Sequence, residues 1–157
     1  MNKKIAILLS TYNGEKYLKE QLNSLINQTY CGIEIIARDD GNSDTSLEIL
    51  KSYNIKLIEN KQNLEAKESF LELLKCAREN SDAKYFMFCD QDDVWESDKV
   101  EKTLSKIQEM EKEYGKIPLL VHSDLEVVDE DLNVLATSMW QYEYILPQYN
   151  SLNRLLI

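Results

Sequence analysis

No glycine-rich phosphate loop ending in lysine, and no Gly-x-Gly-x-x-Gly, occurs in these 157 residues, which hold only four glycines. The commonest signatures of a phosphate cradle built from backbone amides are therefore missing. Histidine occurs once, as His122 in Leu-Val-His-Ser-Asp. No serine–histidine–acid triad can be argued from it, and a structural role fits it better. The three cysteines, Cys31, Cys76 and Cys89, form neither a zinc spacing nor a disulfide framework, so a reducing cytoplasm is the expected setting. Basic residues are in deficit, with 18 Lys and Arg against 28 Asp and Glu and a net charge of -10. Without a basic surplus to displace counterions, a nucleic-acid partner is disfavoured; a phosphorylated ligand held through a metal is not. The apolar run Ile5–Leu9 is too short for a membrane span, and the Ser10-Thr11-Tyr12-Asn13 that follows is no small-x-small cleavage site. Linkers, repeats and low-complexity segments are absent too. A hydrophobic content of 43% and a charged content of 29% suit one globular domain, 1–157, with a real core.

What the chain does contain is an alternation of strand and helix signals. Ile5–Leu9 is a continuous apolar run, as in a strand covered on both faces. Asn13 is placed to cap a helix over about Glu15–Gln28, with Leu18, Leu22, Leu25 and Ile26 on one side. Ile33–Ala37 reads as a second strand, and Ser43 or Asp44 as the cap of a helix bearing Leu47, Ile49 and Leu50. Ile55–Ile58 is a third strand. A helix over about Ala66–Arg78 turns Phe70, Leu73, Leu74 and Ala77 inward. Tyr85–Cys89 is a fourth, buried strand. Ser97 or Asp98 opens a helix with Val100, Leu104, Ile107 and Met110 inward. Leu119–His122 is expected as a fifth strand, and Leu125–Val128 with Leu132–Leu135 as a hairpin around Asp129-Glu130-Asp131. Such alternation implies right-handed crossovers and an α/β fold with a mainly parallel sheet between helices. Leu152, Leu155, Leu156 and Ile157 begin an amphipathic pattern that stops without a cap, so the chain is expected to be the amino-terminal part of a longer protein.

In a parallel sheet the carboxyl ends of all strands share one edge, where ligands bind. Polar clusters follow each strand: Ser10 to Gly14, Arg38 to Asp44, Asn60 to Asn63, and Asp90-Gln91-Asp92-Asp93. Taken alone, Ser10 to Asn13 reads as a turn with a helix cap, and Asp39-Asp40-Gly41 as a turn with solvated carboxylates and Gly41 at positive φ. The fourth cluster exceeds what a helix start needs. Three carboxylates within four positions repel one another, and desolvation adds to the penalty. A divalent cation removes both problems, so Asp90 and Asp92 form a candidate metal and diphosphate site. A calcium loop starting at Asp90 would put Trp95 where glycine is required and Val94 at a ligand position. An aspartyl-nucleophile phosphatase carries its Asp-x-Asp after the first strand, not the fourth.

At these residues the chain resembles the amino-terminal, nucleotide-sugar-binding part of family 2 glycosyltransferases of the GT-A fold. Ile-Ala-Ile-Leu-Leu-Ser-Thr-Tyr-Asn-Gly is similar to that family's opening strand and loop, and Asp39-Asp40-Gly41-Asn42-Ser43-Asp44 to its second-strand motif. Asp90-Gln91-Asp92-Asp93-Val94-Trp95 resembles its Asp-x-Asp in the form common in bacterial rhamnosyltransferase-like members. The resemblance implies that Ser10, Thr11, Tyr12 and Asn13 line the nucleotide pocket, Tyr12 stacking on a pyrimidine. It implies that Asp39 accepts a base N–H with Asp40 beside it, that Gln91 belongs to the donor site, and that Asp90 lies near ribose and diphosphate. Asp92, with Asp90, would bind Mg2+ or Mn2+, which suit hard oxygen ligands. Two departures stand out. Glu65 replaces a glycine common in the third loop, although Lys67 is within reach of a phosphate. The acidic base of inverting members belongs beyond Ile157; Asp124 and Glu126 come too early to match it.

The function so implied is metal-dependent, inverting transfer of a sugar, rhamnose among the candidates, from a UDP- or dTDP-sugar to a glycan or lipid-linked acceptor. The pathway would be bacterial cell-surface polysaccharide synthesis. Its place would be the cytoplasm, at the inner face of the membrane, with peripheral attachment through regions outside this chain. Two alternatives stay open: a nucleotide-diphosphate-binding module without turnover, and a phosphohydrolase.

Overall fold

Five consecutive apolar residues can be covered on both faces only in the middle of a sheet, and that is where Ile5 to Leu9 lie. In the computed structural model, which describes residues 3–146, strand β1 (Ile5–Thr11) has its apolar residues fully buried. It pairs in parallel with β2 (Ile33–Asp40) on one side, Ile5 opposite Ile33. On the other side it pairs with β4 (Tyr85–Cys89), Ile5 opposite Tyr85. β3 (Lys56–Asn60) joins β2, giving the order β3-β2-β1-β4. The chain therefore runs outward from β1 through β2 to β3 and then crosses back to the far side of β1. That reversal opens a crevice at the carboxyl ends of the strands flanking β1.

Side chains alternate across the sheet. Ala6, Leu8 and Ile36 meet Leu73 and Ala77 of α3 (Glu65–Asn80), with Phe70, Leu74 and Phe86 packed around them. The opposite face buries Ile5, Ile7, Leu9 and Ala37. There α1 (Leu18–Ile26) packs, since its buried Gln21 donates to Sγ of Cys89, the residue opposite Leu9. α2 (Ser46–Lys51) buries Ile49 and Leu50. α4 (Lys99–Tyr114) buries Val100 and Leu104, with Gln28 accepting from Val100 N at 3.1 Å.

Four expectations need correction. Strands β1 and β2 run further than their apolar runs, so Ser10, Thr11, Asp39 and Asp40 are strand residues rather than loop residues. The first helix begins at Leu18, not Glu15. Asn13 does not cap it: Asn13 takes φ +50 and Gly14 O accepts from Tyr17 N and Leu18 N, each at 3.0 Å. β4 is not covered on both faces: it ends the sheet among the described residues, and Phe88 is 51% exposed. No strand forms over Leu119–His122; no described strand pairs with this run, and Leu120 is 51% exposed.

The chain divides into two compact units, one up to Ser105 and one from Lys106. In the second, β5 (Val127–Val128) and β6 (Val134–Ala136) form the expected hairpin, in shorter form. Its turn is closed by Asp129, whose carboxylate accepts from Asp131 N and Asn133 N at 2.9 Å. Asp124 accepts from Trp140 N at 3.1 Å and from Ser138 Oγ, fixing the start of α5 (Met139–Tyr142). His122 packs edge-on against Trp140 at 5.6 Å, a structural contact. The amphipathic pattern from Leu152 to Ile157 lies outside the described residues.

Candidate functional site

The carboxyl ends of β1 and β2 are polar on both faces, and their side chains bond mostly to one another. On the α3 face, Ser10 Oγ lies 2.7 Å from Ser69 Oγ. Buried Arg38 donates through Nε to Asp40 Oδ1 at 3.2 Å, and Leu64 N donates to the other Asp40 oxygen at 2.8 Å. Arg38 Nη2 also lies 3.2 Å from Asp40 Oδ1, near enough for charge attraction but not aligned for a hydrogen bond. On the opposite face, Thr11 Oγ1 donates to Arg38 O at 3.2 Å. Asp39, 3% exposed, accepts from Asn42 N at 3.1 Å and from Asn42 Nδ2. Thr11 and Asp39 are thus buried within the scaffold; Ser10 and Asp40 lie on the crevice side, Asp40 itself only 2% exposed.

The β1–α1 loop is held by side chains from elsewhere. Tyr12 N donates to Gln91 Oε1 at 2.7 Å, Asn13 N to Asn42 Oδ1 at 2.5 Å, Gly14 N to Ser46 Oγ at 2.9 Å and Glu15 N to Asp44 Oδ2 at 3.1 Å. Asn13 Oδ1 in turn accepts from Ser43 N at 2.9 Å. Four successive amides that would make an anion-binding nest are thereby occupied by protein acceptors.

Ser10, Tyr12 and Asp40 line a cleft of about 410 Å³ together with Asn63, Glu65, Ala66 and Phe70 at the start of α3, and with Asp90, Gln91 and Asp92 after β4. Tyr12 is 47% exposed. Phe70 sits edge-on to Phe88 at 5.3 Å. Lys67 is exposed on α3 and is not among the lining residues. A larger hollow of about 580 Å³ lies at the opposite, amino-terminal edge of the sheet, lined by Lys4, Glu34 and Lys56 among others, remote from the acidic motif.

Glu65, Asn63, Phe70 and the clamp residues Asn42 and Ser46 were not singled out from sequence as site residues. Glu65 takes φ +64, the left-handed conformation that glycine adopts freely. Its place in the third loop was the available signal. Asn42 lies in the second-strand motif that carries the resemblance, but nothing marked its side chain as a loop clamp; Ser46, the first residue of α2, gave no signal.

Desolvation at the strand end, then the charge of Asp92, push the Asp90 carboxyl above the ordinary carboxylate range. Burial, then the charges of Asp90 and Asp92, do the same to Asp93, with Lys99 opposing. No Lys or Arg is among the described residues that line the cleft beside Asp90 and Asp92. No three His, Cys, Asp or Glu are grouped to cage a metal among the described residues. One or two carboxylates that share a hard cation with ligand phosphates need no such cage. The donor set of Asp90 and Asp92 fits a divalent cation on those terms.

A parallel sheet with a reversal beside β1, flanked by helices, defines an α/β fold of the GT-A kind. A family model described as Glycosyl transferase family 2 matches residues 6–119, and the chain belongs to that family. It is 34% identical over 104 residues to the dTDP-rhamnosyl transferase RfbG of Shigella flexneri, covering 61% of this chain and 35% of that one. Among solved structures, TarS 1-349 of S. aureus in complex with UDP superposes with a TM-score of 0.60 at 22% identity, over 88% of this chain and 44% of that one. The mannosyltransferase PcManGT from Pyrobaculum calidifontis, in complex with GDP-Man and Mn2+, gives 0.57 at 16% identity, over 66% of this chain and 32% of that one. The chain spans from 15% to 41% of the length of such curated relatives. No helix among the described residues is long and apolar enough to cross a membrane.

Proposed function

We propose that this chain is the donor-binding part of a metal-dependent glycosyltransferase that moves a sugar from a nucleoside diphosphate to a glycan or lipid-linked acceptor with inversion. One observation carries the metal requirement: the cleft has no basic side chain in its lining and its neighbouring loop amides are occupied. The charged residues that line the cleft among the described residues are Asp90, Asp92, Glu65 and an Asp40 already paired with Arg38. Like charges within about 4 Å repel by roughly 4 kcal/mol near a protein surface, so a diphosphate in this cleft calls for a shared cation. Asp92, with Asp90, would hold Mg2+ or Mn2+; when bound, the cation supplies Lewis-acid stabilisation of the departing diphosphate. Tyr12 offers a flat face for a pyrimidine, and the network of Asp39, Asn42 and Asn13 keeps that loop rigid.

RfbG and the Tyr12–Asp92 cleft support dTDP- or UDP-sugars as donors, rhamnose included. The family likeness supports a role in bacterial cell-surface polysaccharide synthesis at the cytoplasmic face of the membrane. Titration of UDP and dTDP with and without Mn2+ tests the donor half. The expected result is cation-dependent binding that Asp92→Asn removes while the circular dichroism spectrum is unchanged. Unaltered Mn2+-dependent affinity in that variant would falsify the assignment.

A second reading, a binding module without turnover, is favoured by the carboxylates of the cleft. Asp40 is engaged by Arg38 Nε and Leu64 N, Asp90 and Asp92 serve the cation in this reading, and Glu65 is the one other carboxylate among the described lining residues. Binding without transfer to any candidate acceptor would support it. Metal-dependent phosphate release from simple esters would instead indicate a phosphohydrolase.

A further inference from the structure

Gln91 sits between the two aspartates of the acidic motif, yet its side chain is turned toward β1. Its Oε1 accepts from Tyr12 N at 2.7 Å and its Nε2 donates to Tyr12 O at 3.1 Å. Both polar atoms of the amide are thus engaged by the main chain of one residue, in the manner of a neighbouring strand. The fit is close: a Cβ on Gly14 would lie 2.6 Å from Gln91 Oε1 and 2.8 Å from its Cδ. The space for this amide exists because residue 14 is glycine. The three amides after Tyr12 are held by Asn42, Ser46 and Asp44, all from the β2–α2 segment. Gln91 alone among these four acceptors comes from the fourth strand's loop.

We propose that Gln91 is a positioning residue for the nucleobase end of the donor site: it fixes the main chain of Tyr12 so that the exposed ring stands in the cleft, and it acts neither on the cation nor on the diphosphate. The inference rests on the donor-site reading above. A two-point amide clamp holds both φ and ψ about the anchored residue, whereas a single hydrogen bond leaves it free to swing. Asparagine is one methylene too short to span both points, and glutamate offers no N–H to Tyr12 O.

The test uses uridine, which has no phosphate through which to meet a cation, beside UDP with Mn2+. Gln91→Ala is expected to weaken uridine binding at least fivefold and to speed hydrogen exchange of the Tyr12 amide at least tenfold. Gly14→Ala, which obstructs the clamp from the other side, is expected to do the same. In a Tyr12→Ala background, Gln91→Ala is expected to change uridine affinity less than twofold, because the residue acts through Tyr12. An equal loss in both backgrounds would mean direct contact with the ligand and would overturn the proposal. Unchanged uridine affinity with weakened Mn2+-dependent UDP binding would place Gln91 at the metal end and overturn it too. If the wild-type chain binds neither uridine nor UDP, the donor-site reading fails with it. If the wild type binds and both variants bind as well, only the clamp's role fails.

Discussion

At the scale of single residues, two departures from local rules sit at the mouth of the cleft. Glu65 holds a left-handed conformation at φ +64, which costs a side-chain-bearing residue roughly 1–2 kcal/mol. It is held there by Asn63 Oδ1, which accepts from Glu65 N at 2.7 Å, and by Asp40, which fixes Leu64 N. Replacing Glu65 by glycine is expected to raise stability by about 0.5–1 kcal/mol, since lost attraction to the start of α3 offsets part of the relief. Glu65→Ala keeps the strain and brings no gain; urea denaturation of both variants checks this. Arg38 and Asp40 are the second case. Removing the guanidinium alone, as in Arg38→Met, leaves a buried carboxylate without its counter-charge and is expected to destabilise by roughly 3–5 kcal/mol. The partnered change Arg38→Met with Asp40→Leu is expected to recover most of that loss, measured by the same denaturation. The first left a trace in the sequence, Glu65 standing where the resembled family commonly has glycine; the second left none. Asp39-Asp40-Gly41 looks like a solvated turn; only the register Ser10 opposite Arg38 and Thr11 opposite Asp39 shows that the strand continues through charged residues because each finds a partner.

At the scale of elements, the apolar runs made β1, β4 and the spacing of α3 legible, and the acidic motif at the end of β4 was legible because nothing else explains three carboxylates there. Helix starts were not legible where a side chain serves tertiary structure instead: Asn13, a good cap by type, accepts from Ser43 N rather than from its own helix. Leu119–His122 misled because an apolar run specifies a strand only when a neighbour pairs with it. The amino-terminal edge of the sheet yields a pH prediction. Glu34 on β2 lies 2.5 Å from Lys56 Nζ of β3 and 3.6 Å from Lys4 Nζ, and it accepts from Ser81 Oγ. Burial pulls its carboxyl upward, but hydrogen bonds from Lys56 and Ser81 and the charges of Lys4 and Lys56 outweigh that and hold it below the ordinary range. Its folded pKa is therefore lower than its unfolded value of about 4.3. The stabilisation is present above that value and is lost as pH falls through the folded one. Glu34→Gln is expected to lower stability at neutral pH by roughly 1–2 kcal/mol and to flatten the decline below pH 4 or so, measured by thermal melts between pH 3 and 7.

At the scale of the whole molecule, charge decides what the cleft can hold. The chain carries a net -10, the cleft adds Asp90, Asp92 and Glu65 to its lining without a basic residue, and a nucleoside diphosphate brings further negative charge. On the proposed reading, nucleotide and cation would each be poorly held alone: the nucleotide would meet carboxylates, and the cation would find two of the six oxygens it prefers. Together they would complete each other's coordination, so their binding is expected to be strongly cooperative. UDP alone or Mn2+ alone should barely move the melting temperature. With both at about 100 times the joint dissociation constant, linkage supplies about 2.7 kcal/mol, a rise of roughly 5–10 °C for a chain of this size. Chelation with EDTA should return the melt to its starting point. UDP that stabilises fully in EDTA would show that the diphosphate finds its counter-charge in the protein, and Asp90 and Asp92 would lose the role that brings the β4 loop and β1 to one site.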